Sequence, residues 1–270
     1  MQSLATQTMT TSPDISTRRD QLELDGSAPV LSVTNLTKSF GNRKVLNGLS
    51  LSVNRGETIA VLGRSGTGKS VLLRIIIGLA KPDSGEVCIH GQNIAGLSMD
   101  QLGEFRKKMG FLFQHAALYD SLTVGENVAF PLDHHRRGMA QSEKTERVRQ
   151  LLSEVGLERD AGKMPSDISG GMQKRAGLAR ALALEQEILL LDEPTAGLDP
   201  ISSGEIDDLV LKLQREHNMA SIVVTHDMYS AKTIANRLAI LDKGQVVIEG
   251  TFKDLQASNI EFVQEFLSHA

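Results

Sequence analysis

The sequence predicts an α/β fold, a parallel sheet with crossover helices, and two observations carry that prediction. The apolar, β-rich runs "EILLLDEP" and "ASIVVTHD" are each preceded by a helix-length segment, the alternation that parallel strands require. Further upstream, "TIAVLG" runs through a glycine-rich loop into an apolar helical pattern from Ser70 to Leu79, so strand, loop and helix follow in the same order.

The remaining elements follow from local pattern. "VLSVTNLTKSF" and "GLSLSVNRGETIAVLG" read as short alternating strands, with turns at Gly41-Asn42 and Asn54-Arg55-Gly56. Lys81 to Gly91 returns to strand. Ser98 to about Asp160 reads as mostly helical and more polar, punctuated by Pro131 and Gly138. "RLAILDKGQVVIEG" is a hairpin pattern turning at Lys243-Gly244. In the closing "DLQASNIEFVQEFLSHA", Leu255, Ile260, Val263, Phe266 and Leu267 fall near helical spacing. That face either docks on its own domain or meets a second copy. The expected organisation is a disordered Ser/Thr/Gln-rich leader over 1–28, one domain over 30–254 and a helical tail over 255–270, with no internal repeat.

Composition narrows the function. The chain has 270 residues and a formal net charge of -4, with no dense Lys/Arg block, so a nucleic-acid partner is not expected. Arg106-Lys107-Lys108 and His134 to Arg137 are short basic groups and read as solvated faces. The single cysteine, Cys88, reads as a half-buried strand residue. The leader lacks the apolar core of a secretory signal. No apolar run is long enough to span a bilayer, and the richest window, "VLLRIIIGLA", is broken by Arg74.

The glycine loop is the first chemical signal. Gly63, Gly68, Lys69 and Ser70 fit G-x-x-x-x-G-K-[ST], with a strand before and a helix after. Glycine lets consecutive backbone N–H groups turn inward around phosphate oxygens, and the helix that follows adds its positive end. Lys69 brings a full charge to the β- and γ-phosphates, and the Ser70 hydroxyl can ligate Mg²⁺. Gly63, Arg64, Ser65, Gly66, Thr67, Gly68, Lys69, Ser70 and Val71 are therefore the candidate contacts to a nucleoside triphosphate. An ordinary glycine-rich turn would not need the lysine and the hydroxyl.

Other strand ends supply a second half. Asp192 and Glu193 follow the apolar Ile188–Leu191; Asp192 suits a Mg²⁺ shell and Glu193 a general base. The alternative is that the two acids cap the next helix. His226 follows "SIVVT" and could reach the γ-phosphate, with Asp227 as a helix cap. The other histidines read as surface or loop residues. Gln114, after "MGFLF", could bridge Mg²⁺ or the attacking water. Ser169, Gly170 and Gly171 open a long helix whose free N–H groups make a second anion-binding terminus, or a plain capped helix.

Taken together, these motifs resemble the ATPase subunit of an ABC transporter over roughly 30–255. The resemblance implies a P-loop NTPase (RecA-like) core with an antiparallel β subdomain and a helical signature subdomain at about 98–180, the ABC nucleotide-binding domain. It identifies Phe40 as the aromatic that stacks on adenine and Gly63 to Ser70 as the Walker A loop. Gln114 matches the Q-loop glutamine, and Ser169, Gly170 and Gly171 match the signature. Asp192 and Glu193 match the Walker B pair, Asp199 the D-loop aspartate and His226 the switch histidine. Lys69, Gln114, Glu193 and His226 are then the catalytic candidates, and Ser70, Gln114 and Asp192 the metal ligands, with ATP and Mg²⁺ bound. Because the signature of one subunit caps the nucleotide of another, one loop and one signature per chain imply a homodimer with two shared sites. The signature departs from LSGGQ, since Ile168 and Met172 flank Ser169-Gly170-Gly171.

The phrases "FQHAALYDSLTVGENVAFPL" and "MPSDISGGMQKRAGLARALAL" are similar to the ATPases of Mce-linked, Mla-type phospholipid transporters. That likeness implies an integral-membrane permease docked after Gln114, about 115–131. It also implies a periplasmic Mce-domain lipid-binding protein, a small cytosolic regulatory subunit, and a place on the cytoplasmic face of a bacterial inner membrane. Ribosome- or DNA-directed ABC ATPases carry tandem cassettes or a long inserted coiled coil, which this sequence lacks. A P-loop small-molecule kinase leaves Ser169, Asp199 and His226 unexplained.

Overall fold

The structure, a computed structural model, describes residues 28–268, so the leader expected over 1–28 lies outside the described residues apart from its last position. β1 (Leu31–Phe40) and β2 (Arg43–Val53) form an antiparallel hairpin turning at 41–42. β4 (Ser84–Ile89) pairs with β1, and β5 (Gln92–Asn93) pairs with β4, giving a sheet of order β2-β1-β4-β5. Its inner face buries Leu31, Val33, Leu36, Leu49, Val87 and Ile89, the alternation expected when one face of a sheet is covered.

The central sheet contains β3 (Thr58–Leu62), β6 (Met109–Leu112), β7 (Ile188–Asp192), β8 (Ala220–Thr225), β9 (Arg237–Asp242) and β10 (Gln245–Gly250). Its order is β10-β9-β3-β8-β7-β6, parallel from β9 through β6, with β10 antiparallel on the edge. β3, β6, β7 and β8 are buried along their whole length. Helices cover both faces, so these strands have no solvent side and read as continuous apolar runs. Register places Leu62 beside Thr225, Asp192 beside Val224, and Leu112 beside Leu191. The residues that follow these strands therefore emerge at one edge.

α1 (Lys69–Ile76) follows β3. The stretch from Ser98 holds α2 (Met99–Arg106), β6, α3 (Val124–His135), α4 (Gln141–Glu154) and α5 (Gly170–Ala181). It is thus not uniformly helical, because β6 belongs to the central sheet. Pro131 does not end a helix either: α3 continues through it to His135. The missing proline N–H forfeits one helical bond, while Val128 and Leu132 on either side stay buried and hold the turn in place. α3, α4 and α5 share a core containing Val128, Leu132, Leu151, Leu152, Ala176 and Ala179. α5 lies close on β6 because residue 177 is glycine: a Cβ there would sit 2.7 Å from Leu112 Cδ1.

α6 (Pro200–His217) and α7 (Met228–Ile234) complete the central layer. His217, expected in a loop or on the surface, closes α6 half-buried, with Nε2 3.3 Å from Glu154. α8 (Phe252–Gln256) runs across position 255, and α9 (Glu261–Ser268) follows. Leu255, Val263 and Phe266 bury themselves beside Leu62, Leu238 and Ile240, so the tail docks on its own domain. Ile260 stays exposed and outside that face.

Candidate active site

The site assembles at the strand tips. Gly63 packs so tightly that a Cβ would lie 2.5 Å from the Leu241 carbonyl oxygen, and Gly68 adopts φ +108 with Val45 O only 2.9 Å from a Cβ position. Neither place admits a side chain, so the loop is shaped by this chain's own packing. Arg43 of β2 donates from Nη2 to Gly66 O at 3.0 Å, tying the hairpin to the loop. Phe40, paired with Arg43 at the hairpin's end, is 55 % exposed beside the loop, with the Lys38 ammonium 5.4 Å from its ring centroid. Among the loop residues, Arg64 faces away, toward Glu265 at 2.7 Å and the Phe262 ring. Thr67 Oγ1 donates to Arg64 O.

Lys69 is buried and donates to Gly63 O at 2.7 Å and Arg64 O at 3.3 Å. Burial lowers its pKa, opposed by the nearby Glu193 and Asp192 carboxylates. The Ser70 hydroxyl donates to Asp192 Oδ1 at 2.9 Å. Burial pushes the Asp192 carboxyl up, against the Ser70 hydrogen bond. A hydroxyl and a buried carboxylate in mutual contact are the hard oxygen donors Mg²⁺ requires, so these residues fit the ion. The Gln114 backbone stands at the neighbouring tip of β6, with its side chain exposed.

Glu193 is the most constrained residue of the site. Its φ is +49, a left-handed conformation that costs a non-glycine residue about 1–3 kcal/mol. The neighbours hold it there. Its N–H donates to Val224 O at 2.9 Å, and its Oε2 lies 2.9 Å from His226 Nδ1 and accepts from Thr225 Oγ1 at 3.2 Å. The carboxylate is thus aimed by the β8 tip. Asp192 and Glu193 are not helix caps: α6 is capped by Asp199, whose carboxylate accepts from the N–H groups of Ile201 and Ser202 at 3.0 Å. Those bonds and the Ser202 hydroxyl hold the Asp199 carboxyl below its usual range. Asp227 caps α7 as expected.

Ser169 caps α5, accepting from Met172 N at 3.3 Å. The Met172 side chain is partly buried and packs against the core shared by α3, α4 and α5. Gly170 and Gly171 behave unlike the loop glycines. A Cβ at either would meet nothing closer than 3.5 Å (Leu198) or 3.8 Å (Ser202), and neither has a left-handed φ. Their neighbours belong to the segment entering α6. The sheet edge thus gathers the loop, Gln114, Asp192, Glu193 and His226, while Ser169–Gly171 stands apart beside Asp199.

Three contributors escaped sequence reasoning. Thr225 stood next to His226 but carried no motif, and Arg43 lay in an unremarkable hairpin. Lys174, in "MQKR", is only 4 % exposed yet nothing in its spacing marked it as buried.

The comparisons with known proteins agree with this geometry. The sequence profile of the ABC transporter family matches residues 46–196. The chain is 41% identical over 230 residues to "Methionine import ATP-binding protein MetN" of Rhizobium johnstonii, covering 85% of this chain but 63% of that protein, less than two thirds of its length. It is 39% identical over 247 residues to "Probable ribonucleotide transport ATP-binding protein mkl" of Mycobacterium leprae, covering 90% of this chain and 71% of that one. The cassette MJ0796, solved as a dimer in a post-hydrolysis state bound to ADP and Pi, superposes with a TM-score of 0.76 at 37% identity, over 82% of this chain and 98% of that one. A phosphate loop facing a strained glutamate across a parallel sheet, in a chain matched by that profile over more than half its length, leaves one assignment: it belongs to the ABC transporter family, as an ATP-binding subunit.

Proposed function

We propose that two copies of this chain close head to tail around two ATP molecules, each held by the loop of one copy and Ser169–Gly171 of the other, and hydrolyse them to drive a permease. The observation that carries this reading is the contrast between glycines. Gly63 and Gly68 are demanded by contacts within the chain, whereas nothing among the described residues demands Gly170 or Gly171. A bare backbone at a helix N-terminus suits phosphate arriving from outside.

In this mechanism Glu193 orients the attacking water and takes its proton, while His226 and Thr225 hold the carboxylate in place. Lys69 stays charged beside the transferred phosphoryl group, and the α1 N-terminus and the partner's signature terminus stabilise the charge that develops there. Mg²⁺, when bound by Ser70 and Asp192 with Gln114 nearby, supplies neutralisation of the phosphate oxygens. Phe40 offers its exposed ring to adenine.

No described helix is long and apolar enough to cross a membrane, and in this proposal a separate permease takes up the motion. A groove of about 480 Å³ beside the 115–131 segment, lined by Phe113, Tyr119, Phe130, Pro131 and Arg180, suits a permease segment. The phrase-level likeness supports an Mla-type complex on the cytoplasmic face of a bacterial inner membrane. It would move phospholipids between the inner and outer membranes with an Mce-domain partner and a small cytosolic regulator. Methionine import, named for the Rhizobium relative, is the second reading, supported by that protein's 41% identity.

Detergent co-purification of the full chain, with lipid analysis of what comes with it, tests the proposal. A permease, an Mce-domain protein and bound phospholipid are expected. A permease complex without phospholipid whose ATPase rate answers to methionine decides for the second reading. Recovery with ribosomes or DNA and no membrane protein defeats both.

A further inference from the structure

The signature helix reaches into the catalytic edge with a residue that none of the motifs includes. Lys174 lies one turn inside α5, on the side facing the sheet. Its ammonium donates to two backbone carbonyls, Gln114 O and, at 2.9 Å, Glu193 O. These oxygens belong to the residues that leave the tips of β6 and β7, so one buried cation spans the gap between two adjacent loops. The same helix holds the first loop again two turns later. Arg180 donates from Nη2 to Ala116 O at 2.6 Å and from Nη1 to Ala117 O at 2.7 Å. Ala116 and Ala117 have φ of +58 and +49, so the backbone after Gln114 is as contorted as that of Glu193.

We infer that Lys174 is a positioning residue for ATP hydrolysis: it fixes the backbone of Gln114 and Glu193 against α5, so that the glutamate and the glutamine side chain reach the reacting atoms only while the signature helix is seated. The inference rests on the hydrolytic reading of the site and adds to it a path by which the helix bearing Ser169–Gly171 governs the base.

The physical grounds are these. A left-handed Glu193 is strained and persists only if its surroundings over-determine it. Its N–H is held by Val224 and its carboxylate by His226 and Thr225, while its carbonyl accepts from Ala196 N at 3.2 Å and, more closely, from Lys174 Nζ at 2.9 Å, the bond that ties it to α5. An ammonium has three donors and no acceptor, so it can hold two carbonyls at once. A buried, fully apolar replacement would leave the Gln114 carbonyl without a partner among the described residues and the Glu193 carbonyl with only the longer bond from Ala196 N at 3.2 Å, and the link between the two loops would be lost. Catalysis is sensitive to such shifts, because a 1 Å misplacement costs on the order of 10²-fold.

The test compares Lys174→Met with Lys174→Gln in the full chain. Methionine follows the lysine stem as far as Cε and removes every donor, whereas the glutamine amide, also one atom shorter than lysine, keeps two N–H groups for two carbonyls. Fluorescent-ATP binding, thermal unfolding and steady-state ATPase kinetics are measured on each. For Lys174→Met, kcat should fall about 10²-fold with KM and nucleotide affinity within about 3-fold of wild type. Lys174→Gln should recover most of that loss. A folded Lys174→Met with wild-type kcat overturns the inference. So does a raised KM at unchanged kcat, which would show a role in binding. So does a glutamine variant no better than methionine, because pinning by N–H donors is then not what matters. Should Lys174→Met fail to fold, Lys174→Leu, which also lacks donors, takes its place: a kcat about 10²-fold down at unchanged KM supports the positioning role, and a folded variant with unaltered kcat defeats it. If instead the wild type binds ATP and never hydrolyses it, the hydrolytic reading itself has failed, and that outcome is distinguishable from these.

Discussion

Gly171→Ala separates what this chain needs from what a bound partner needs. In the folded monomer the new Cβ meets Ser202 Cβ at 3.8 Å, ordinary van der Waals contact, and residue 171 sits in the first turn of α5 without a left-handed φ. Alanine in a helix is favoured over glycine by up to about 0.5–1 kcal/mol, so thermal stability should stay level or rise slightly. Gly68→Ala is the contrasting change. There a Cβ would lie 2.8 Å from Leu46 Cδ2 and 2.9 Å from Val45 O at φ +108. Left-handed strain of about 1–2 kcal/mol and overpacking of about 1–3 kcal/mol together predict a loss of about 2–5 kcal/mol. Hydrolysis should fall in both variants, about 10²-fold or more in Gly171→Ala as an N–H donor is pushed away from the phosphate. The deciding assay mixes Gly171→Ala with Lys69→Ala. If each site borrows its signature from the other copy, a mixed dimer contains one site with a sound loop and a sound signature, and ATPase activity reappears on mixing. If each site were built within one chain, no mixture could contain an intact site. A silent mixture of folded, dimerising proteins refutes the shared site, and a markedly destabilised Gly171→Ala refutes the claim that nothing inside the chain needs glycine there.

Further expectations are simpler to check. Glu193→Gln should bind fluorescent ATP as wild type does while losing about 10²–10⁴-fold in turnover; near-normal turnover would remove it from the role of base. Leu190→Ala, at a fully buried position in β7, should cost about 2–5 kcal/mol by chemical denaturation, with the site's nucleotide preference unaltered in whatever fraction folds. Asp207 of α6 is buried, among the described residues only the Ser230 hydroxyl donates to it, and burial raises its pKa from 3.8 to about 6. A raised acid pKa means the folded state holds the proton more tightly, so this contribution to stability is full below about 4 and lost as pH rises toward about 6. Asp207→Asn removes the dependence. Urea midpoints at pH 4 and pH 7 should therefore show the variant gaining on wild type by about 1–3 kcal/mol at the higher pH, and parallel midpoints would contradict the assignment.

Pro131 shows where local reading overreached. A proline punctuates a sequence pattern, but the cost of one missing helical bond is met here by the packing of Val128 and Leu132 across it. His217 is similar: its neighbours in sequence say nothing of Glu154, which reaches it from another helix. The acid pair after β7 left two readings open, and only the cap at Asp199 closed one of them.

The sequence by itself determined the phosphate loop, the acids after "ILLL", the histidine after "SIVVT" and the hairpin at Lys243-Gly244. Each of these is a local demand: a backbone turn that needs glycine, or a strand whose complete burial shows as an unbroken apolar run. Tertiary structure decided what no window of residues contains. The order β9-β3-β8-β7-β6 sets which strand tips share an edge, and the seating of Val263 and Phe266 joins the tail to its own domain. The inward course of Lys174 shows the limit most plainly. A lysine on a helix is ordinarily solvated, and it turns inward here because, among the described residues, the Gln114 carbonyl has no backbone donor and the Glu193 carbonyl, bonded to Ala196 N, keeps room for a second one.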